Sequence, residues 1–235
     1  MEQKASNNFQ AQAVALTSLT DRYSVELADT PELIREAHRL RYQVYCVEND
    51  YLEDQDGLEV DEFDIHSHHV ILREKRTGEV IGAVRLVLFQ EEAPEHSFPM
   101  QQVTPVSLRH YVPLRTTAEV SRFALSKERR HMAGANAGLL RLALVQGLVR
   151  LSAGLGITHW AAIMEPTLLR LLKSTAIYFS AIGKPVEYHG LRQPCYSSVD
   201  TLLARVHEEQ PAIWDLLTDW GRLWPEPPRW VAARC

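Results

Sequence analysis

The stretch from Thr117 to Leu125 constrains this chain most. Ala118, Val120 and Phe123 to Leu125 read as a buried strand, yet Glu119 and Arg122 sit inside it. Charges in a sheet core need partners, because burying one alone is costly. In a regular strand, side chains three residues apart point to opposite faces, and only a bulge between them turns both to one side. The competing readings are a structural ion pair at a sheet edge and a charged cleft. The charged residues upstream favour the cleft.

The remaining composition sets ordinary bounds. The chain has 235 residues, 46% of them hydrophobic and 23% charged, which suits one globular core rather than disorder or fibrous repeats. A net charge of -5 argues against bulk nucleic-acid binding, though not against a local basic patch. Three cysteines, Cys46, Cys195 and Cys235, are odd in number and far apart, so they form neither a disulfide framework nor a zinc site, and a reducing cytoplasm is the expected compartment. Met1 to Asp21 carries no signal-peptide pattern. The longest apolar region, Leu139 to Leu155, is broken by Arg141, Gln146 and Arg150, short of the roughly 18 apolar residues of a membrane span, so no transmembrane segment is expected.

Tyr23 to Ala28 alternates as a short strand, and Asp29-Thr30-Pro31-Glu32 supplies an N-cap and a first-turn proline for a helix from Pro31 to Val47. Leu33, Ile34, Ala37, Leu40 and Val44 make its buried stripe, with Arg41, Tyr45 and Glu48 alongside. Glu48 to Ser67 is an acidic loop, mostly solvated. Tyr51, Leu52, Leu58 and Phe63 can pin it as a lid that carries Asp61 and Asp64. Its carboxylates do not follow the EF-hand alternation, and no metal site is read there. His69 to Arg73 and Val80 to Leu88 form a hairpin in which a buried Arg85 calls for an acidic partner, Asp61, Asp64 or Glu119. A short helix is expected at Pro99 to Leu108. After the central strand, Ser126 to Asn136 is a basic loop containing Gly134 that enters a helix at Ala137, the arrangement that offers free N–H groups to phosphate, with Arg129 and Arg130 beside it. A strand from Ile157 to Met164, a helix from Pro166 to Ala176, a strand from Val186 to His189 and a helical tail from Val199 through Trp214 and Trp220 complete the order. The prediction is an α/β fold: residues 1–21 a flexible segment, 22–195 a mixed, mostly antiparallel sheet flanked by helices, and 196–235 a helical extension packed on it.

This order resembles the GNAT acyltransferase fold. The set Arg41-x-x-x-Tyr45, Tyr51, Asp61-Glu62-Phe63-Asp64, Arg85 and Glu119-Val120-Ser121-Arg122-Phe123 resembles the motif of acyl-homoserine-lactone autoinducer synthases and of the related N-acyl amino acid synthases. Leu40 to Glu48, Asp61 to Ser67 and Ala83 to Leu88 look most like acyltransferases associated with PEP-CTERM/exosortase gene clusters. The match runs from about Tyr23 to Gly190. It implies one ionic cluster shaping an acceptor site: Glu119, Arg122 and Arg85 in catalysis, and Arg41, Tyr45, Tyr51, Asp61, Asp64 and Phe123 around the substrate. Tyr51 stands where the lactone makers usually carry tryptophan. The loop Arg130 to Asn136 only approximates the GNAT phosphate pattern. With Arg129, Arg130, Gly134 and Asn136 as its binding residues, that loop implies a phosphopantetheine arm on an acyl carrier protein, with acyl-CoA as the other donor, and no tightly bound cofactor.

The implied reaction is transfer of an acyl group, long-chain in this reading, from a carrier thioester to an amino acid or similar small amine. A base must free the amine, and Glu119 is the candidate; burial raises its pKa and neighbouring arginines lower it. Backbone N–H groups near Phe123 to Leu125 are expected to meet the oxyanion, and Arg41 or Arg122 the acceptor's carboxylate. Val84, Leu86, Ala162 and Met164 are candidate acyl walls, and Arg129, Arg130 and Arg141 a landing patch for an acidic carrier. A cysteine nucleophile, Cys46 or Cys195, has no activating neighbours in sequence. The rival readings are a lactone synthase using S-adenosylmethionine, a small-molecule acetyl-CoA N-acetyltransferase, and a noncatalytic acyl-ligand sensor.

Overall fold

The computed structural model describes residues 19–52, 56–104, 106–132 and 136–225. Residues 19–22 are helical and Leu19 is buried in the core, so residues 19–21 belong to the folded domain and not to the flexible segment expected up to residue 21. Strand β1 (Tyr23–Ala28) leads to helix α1 (Pro31–Tyr42), where Thr30 caps the N-terminus by accepting from the Leu33 N–H at 3.3 Å and Pro31 occupies the first turn. The helix does not run on to Val47 in α geometry: Gln43–Glu48 widens into a π turn. Asn49 closes that turn by donating to the Val44 carbonyl at 2.6 Å, and the Tyr51 N–H donates to the Tyr45 carbonyl at 2.8 Å, folding the lid back over Tyr45.

A 3₁₀ turn (Glu62–His66) precedes the hairpin β2 (Ser67–Glu74) and β3 (Val80–Leu88). Helix α2 is only Pro99–Val103, and two further 3₁₀ turns lead into β4 (Thr117–Leu125). Helices α3 (Lys127–Met132) and α4 (Ala137–Leu155), strand β5 (His159–Met164) and helix α5 (Pro166–Lys173) follow. Two-residue strands β6 (Ser180–Ala181) and β7 (Val186–Glu187) lie before β8 (Leu191–Ser198), a strand not read from sequence. In place of one continuous tail helix there are two, α6 (Val199–Glu209) and α7 (Pro211–Thr218), because Pro211 restarts the helix; Trp214 is buried, whereas Trp220 lies outside both and is exposed.

The strands pair in the order β1-β2-β3-β4-β5-β8-β6, with β7 on β8. Among the described residues each pairing is antiparallel except β4 with β5, which run parallel over just Thr117–His159, Ala118–Trp160 and Glu119–Ala161. Beyond Glu119 the two strands separate. The cause lies on the other edge of β4: Ser121 pairs Arg85 and Ala124 pairs Ala83, so Arg122 and Phe123 together oppose Val84. This is a β-bulge, and Arg122 takes the left-handed backbone it needs, at φ 51°. Ala118 and Val120, then Phe123 and Leu125 after the bulge, pack with the core under α4; Ala124 faces α1 on the opposite side.

Helix α4 lies close on the sheet at Gly147, where a Cβ would come within 2.4 Å of Val70 Cγ1. By length and composition α4 could cross a membrane, but its buried residues Leu140, Leu144 and Leu148 share one core with β2 to β5 and with α6 and α7. On the other face, Ala37 and Leu40 of α1 cover Ile71, Ala83 and Ala124, and Phe98, Met100 and Leu108 cover Val87 and Ala161.

Candidate active site at the separation of β4 and β5

The local chemistry of Asp61 and Asp64 aims both carboxylates. Asp61 caps the 3₁₀ turn by accepting from the Phe63 N–H at 2.9 Å, and Asp64 accepts from the Asp61 N–H at 2.8 Å, a reciprocal capping box. Three arginines from three elements converge on them. Arg41 of α1 grips Asp64 with two bonds of 2.6 and 3.0 Å. Arg85 of β3 grips Asp61 at 2.5 and 3.0 Å and reaches Asp64 at 3.0 Å, while its Nε donates to Ser121 Oγ at 3.0 Å. Arg122, turned by the bulge, binds Asp61 at 2.8 Å.

The third carboxylate is Glu59, 1% exposed, bonded to Arg41 at 2.5 Å and to Arg122 at 3.0 Å. The sequence reading left Glu59 in the solvated loop. The signal that could have found it is a count: three arginines against two aspartates leave one buried cation unmatched. With Glu59 the six charges cancel. Burial pushes the pKa of Asp64 up, but the nearby His38, the bonds from Arg41 and the Arg85 charge outweigh it and hold Asp64 far below the usual carboxylate range. Asp61 is lowered as well, its burial outweighed by Arg85 and Arg122. His38 and His69 sit 3.7 and 3.5 Å from Asp64 Oδ1, a grouping with the dimensions of a metal site. Two guanidinium groups already occupy that carboxylate, so a cation there would meet them head-on. Burial and the Arg41 charge hold His69 neutral, its pKa down to about 3.

Two adjoining cavities open where β4 and β5 part. The larger, about 390 Å³, is walled by Val120, Phe123, Val145, Leu148, Trp160, Met164, Leu168 and Phe179, with Lys127 and Arg141 also on its lining. The smaller, about 100 Å³, is lined by Tyr45, Tyr51, Pro99, Glu119, Arg122, Tyr188, His189 and Arg192. Tyr45, Tyr51, Ser121, Arg122, Ile163 and Arg192 border both, so the two spaces form one cleft.

Glu119 stands apart from the ionic cluster. It is 1% exposed and accepts the Met100 N–H at 2.8 Å. Burial raises its pKa to about 7 against the opposing pull of that bond and of Arg85 and Arg122. Its carboxyl therefore changes charge near neutrality at the wall of the smaller cavity, which is what a general base requires. The bulge brings Arg122 to the same wall, as the cleft reading expected.

Several expectations need correction. Arg41 and Arg85 are 0% exposed and line neither cavity, and Asp61 and Asp64 also lie behind the wall; these four support the site instead of touching a substrate. Arg41 is therefore not placed to hold an acceptor carboxylate. Of the candidate acyl walls only Met164 lines the cavity; Val84, Leu86 and Ala162 are buried against the core, because α4 covers that face of the sheet. Arg129, half-buried, donates by Nη1 to the Val80 carbonyl at 2.7 Å. Asn136 caps α4 by accepting from the Gly138 N–H at 2.8 Å. Arg130 lies near enough to Arg141 to lower its pKa together with burial, and Gly134 lies outside the described residues. Cys195 is buried against the Ala162 carbonyl, and burial pushes its thiol up, away from nucleophilic use.

Residues 40–139 match the family described as the acetyltransferase (GNAT) domain. No curated protein matches the chain in sequence. Among solved structures, the AHL synthase LasI superposes with a TM-score of 0.61 at 18% identity, over 79% of this chain and 92% of that one. The CoA-dependent acyl-homoserine lactone synthase BjaI, solved with MTA, gives 0.60 at 20% identity over 91% and 97%. FeeM, an N-acyl amino acid synthase from uncultured soil microbes, gives 0.59 at 16% identity over 78% and 95%. The chain therefore has the GNAT fold, and residues 40–139 match a GNAT acetyltransferase domain.

Proposed function

We propose that this GNAT-fold acyltransferase moves an acyl group from a phosphopantetheine thioester on an acyl carrier protein to the amino group of an amino acid. The observation that carries the reading is Glu119: a carboxyl with its pKa raised to about 7, outside the neutral cluster, on the wall of a small cavity that joins a larger one with many aromatic and aliphatic walls. The acyl chain occupies the larger cavity and the amine the smaller. Glu119 takes a proton from the amine, directly or through water, the nitrogen attacks the thioester carbon, and the carbon–sulfur bond breaks as the sulfur leaves as a thiol. Amide and thiol are the balanced products. Backbone N–H groups at the bulge are the proposed partners of the oxyanion.

A cavity of about 390 Å³ with aromatic and aliphatic walls is more than an acetyl group needs, which favours a longer chain. Lys127, Arg130 and Arg141 at the donor side favour an acidic carrier over a bare acyl group. A carrier-protein donor would suit a cytoplasmic reaction, and the motif wording suits a relative of the acyltransferases of PEP-CTERM/exosortase clusters; both belong to this proposal. The small amine of an amino acid asks less of the smaller cavity, about 100 Å³, than the nucleoside-bearing sulfonium of a lactone synthase would, which favours the amino acid.

The test is turnover of dodecanoyl carrier protein with a panel of amino acids by wild type and Glu119→Gln, with products identified by mass spectrometry. N-acyl amino acids from wild type, and a rate lower by about 10²–10⁴-fold in the variant, are expected. Equal rates dispose of the base; methylthioadenosine released from S-adenosylmethionine selects the lactone reading.

A further inference from the structure

We infer that Arg192 on β8 is the residue that holds the acceptor's carboxylate, an inference that rests on the acyl-transfer reading above. An amino acid brings an anionic group into the smaller cavity, and a cation must meet it. The three arginines of the ionic cluster are unsuited. Arg41 and Arg85 reach neither cavity, and Arg122, although on the wall, is already engaged through Nε and Nη2 with Glu59 and Asp61, in a cluster with no surplus charge. Lys127 and Arg141 line the larger cavity but not the smaller. Among the described residues, Arg192 is the remaining guanidinium on the smaller cavity's wall.

Its present contacts are exchangeable. Nη2 lies 3.2 Å from Glu165, a carboxylate 40% exposed, Nη1 donates to the Leu191 carbonyl at 3.2 Å, and the guanidinium lies 5.8 Å from the Tyr51 ring centre. Arg192 itself is 15% exposed, but its partner Glu165 is solvated, so an incoming carboxylate can displace it from the guanidinium. The chain is also shaped around this side chain. The β7–β8 turn passes through His189 at φ 50° and Gly190 at φ 93°, and a Cβ on Gly190 would stand 3.1 Å from Arg192 Nη1. Glycine at that point satisfies the left-handed backbone and leaves the guanidinium room to lie back against the turn. Glu119 and Arg192 then line one small cavity, a base for the amine end and a cation for the acid end of the same molecule.

The experiment is calorimetric titration with two probes, N-dodecanoylglycine and its carboxamide, which differ only in charge at the group assigned to Arg192. Wild type is expected to bind the acid about 10–100-fold more tightly than the amide. Arg192→Gln should abolish that preference and Arg192→Lys should retain part of it. Glu165→Gln removes the competing carboxylate and should strengthen acid binding several-fold; a purely structural Arg192 would show no such gain. Equal affinities in wild type, or a preference that survives Arg192→Gln, overturn the assignment. Turnover on the same proteins separates the two claims. Acid preference without acyl transfer sinks the enzyme and spares Arg192, whereas transfer whose acid preference ignores Arg192→Gln sinks Arg192 alone.

Discussion

Two sets of charged side chains lie on either side of one cavity wall and use charge in opposite ways. Behind it, with Arg122 alone of the set also reaching the lining, Arg41, Arg85 and Arg122 are matched by Glu59, Asp61 and Asp64, each arginine bridging two carboxylates, so that nothing is left over. In front of it, Glu119 accepts one backbone N–H and Arg192 holds one solvated partner. The closed set can fix geometry but has no charge to lend to a reaction. The open set has charge to lend because the fold has not used it. Burial alone therefore does not mark a functional charge; what matters is whether the neighbours already cancel it.

The comparison breaks most visibly if the closed set is opened. Arg85→Ala leaves Asp61 and Asp64 short of a cation and should cost about 3–5 kcal/mol of stability, read from urea unfolding midpoints. A loss near zero would mean that the cluster is not the closed unit described. Glu119→Gln should do the reverse. Folded Glu119 holds its proton up to about pH 7, above its ordinary 4.5, so the folded state binds the extra proton between those values. Wild-type stability should therefore fall as pH rises from about 4.5 to 7 and level off above. Glu119→Gln lacks that fall and should gain up to roughly 3 kcal/mol over wild type at pH 8, with no gain at pH 4. Wild-type kcat/KM should climb through about pH 7 over the same range, and a flat profile would return Glu119 to the structural set. Gly147→Ala should cost about 1–3 kcal/mol by forcing α4 off Val70; because Val145 and Leu148 of α4 wall the larger cavity, any kinetic change should fall on the acyl donor and leave acceptor preference untouched. The smallest effect belongs to Tyr51→Phe. Its hydroxyl reaches Glu165 only at 3.5 Å, so unfolding should move by less than about 0.5 kcal/mol, with any change confined to acceptor KM.

The bulge was legible because charges three apart in an apolar strand permit few solutions, and the Asp61–Asp64 spacing because it is also a helix-capping spacing. Glu59 was not: in an acidic loop nothing local distinguishes the one carboxylate that folds inward. Arg192 was missed for another reason. Pro194 argues against a strand from Leu191 to Ser198, and the reading stopped at His189; in the fold Pro194 keeps its place in β8, its carbonyl accepting the Ile182 N–H at 2.8 Å. The acyl walls failed on a question of sides. Alternation identifies which residues of β3 share a face but not which face a helix will cover, and α4 covers the one holding Val84 and Leu86.

The six-charge cluster also has a consequence for ionic strength. Arg41, Glu59 and Arg85 are at most 1% exposed, so mobile ions, which act across about 8 Å at physiological salt, have little access to the contacts between them. Lys127, by contrast, is exposed and Arg130 half-buried, where added salt weakens their pull on an acidic partner. Raising sodium chloride should therefore loosen the encounter with a carrier protein long before it disturbs the pocket that receives the cargo.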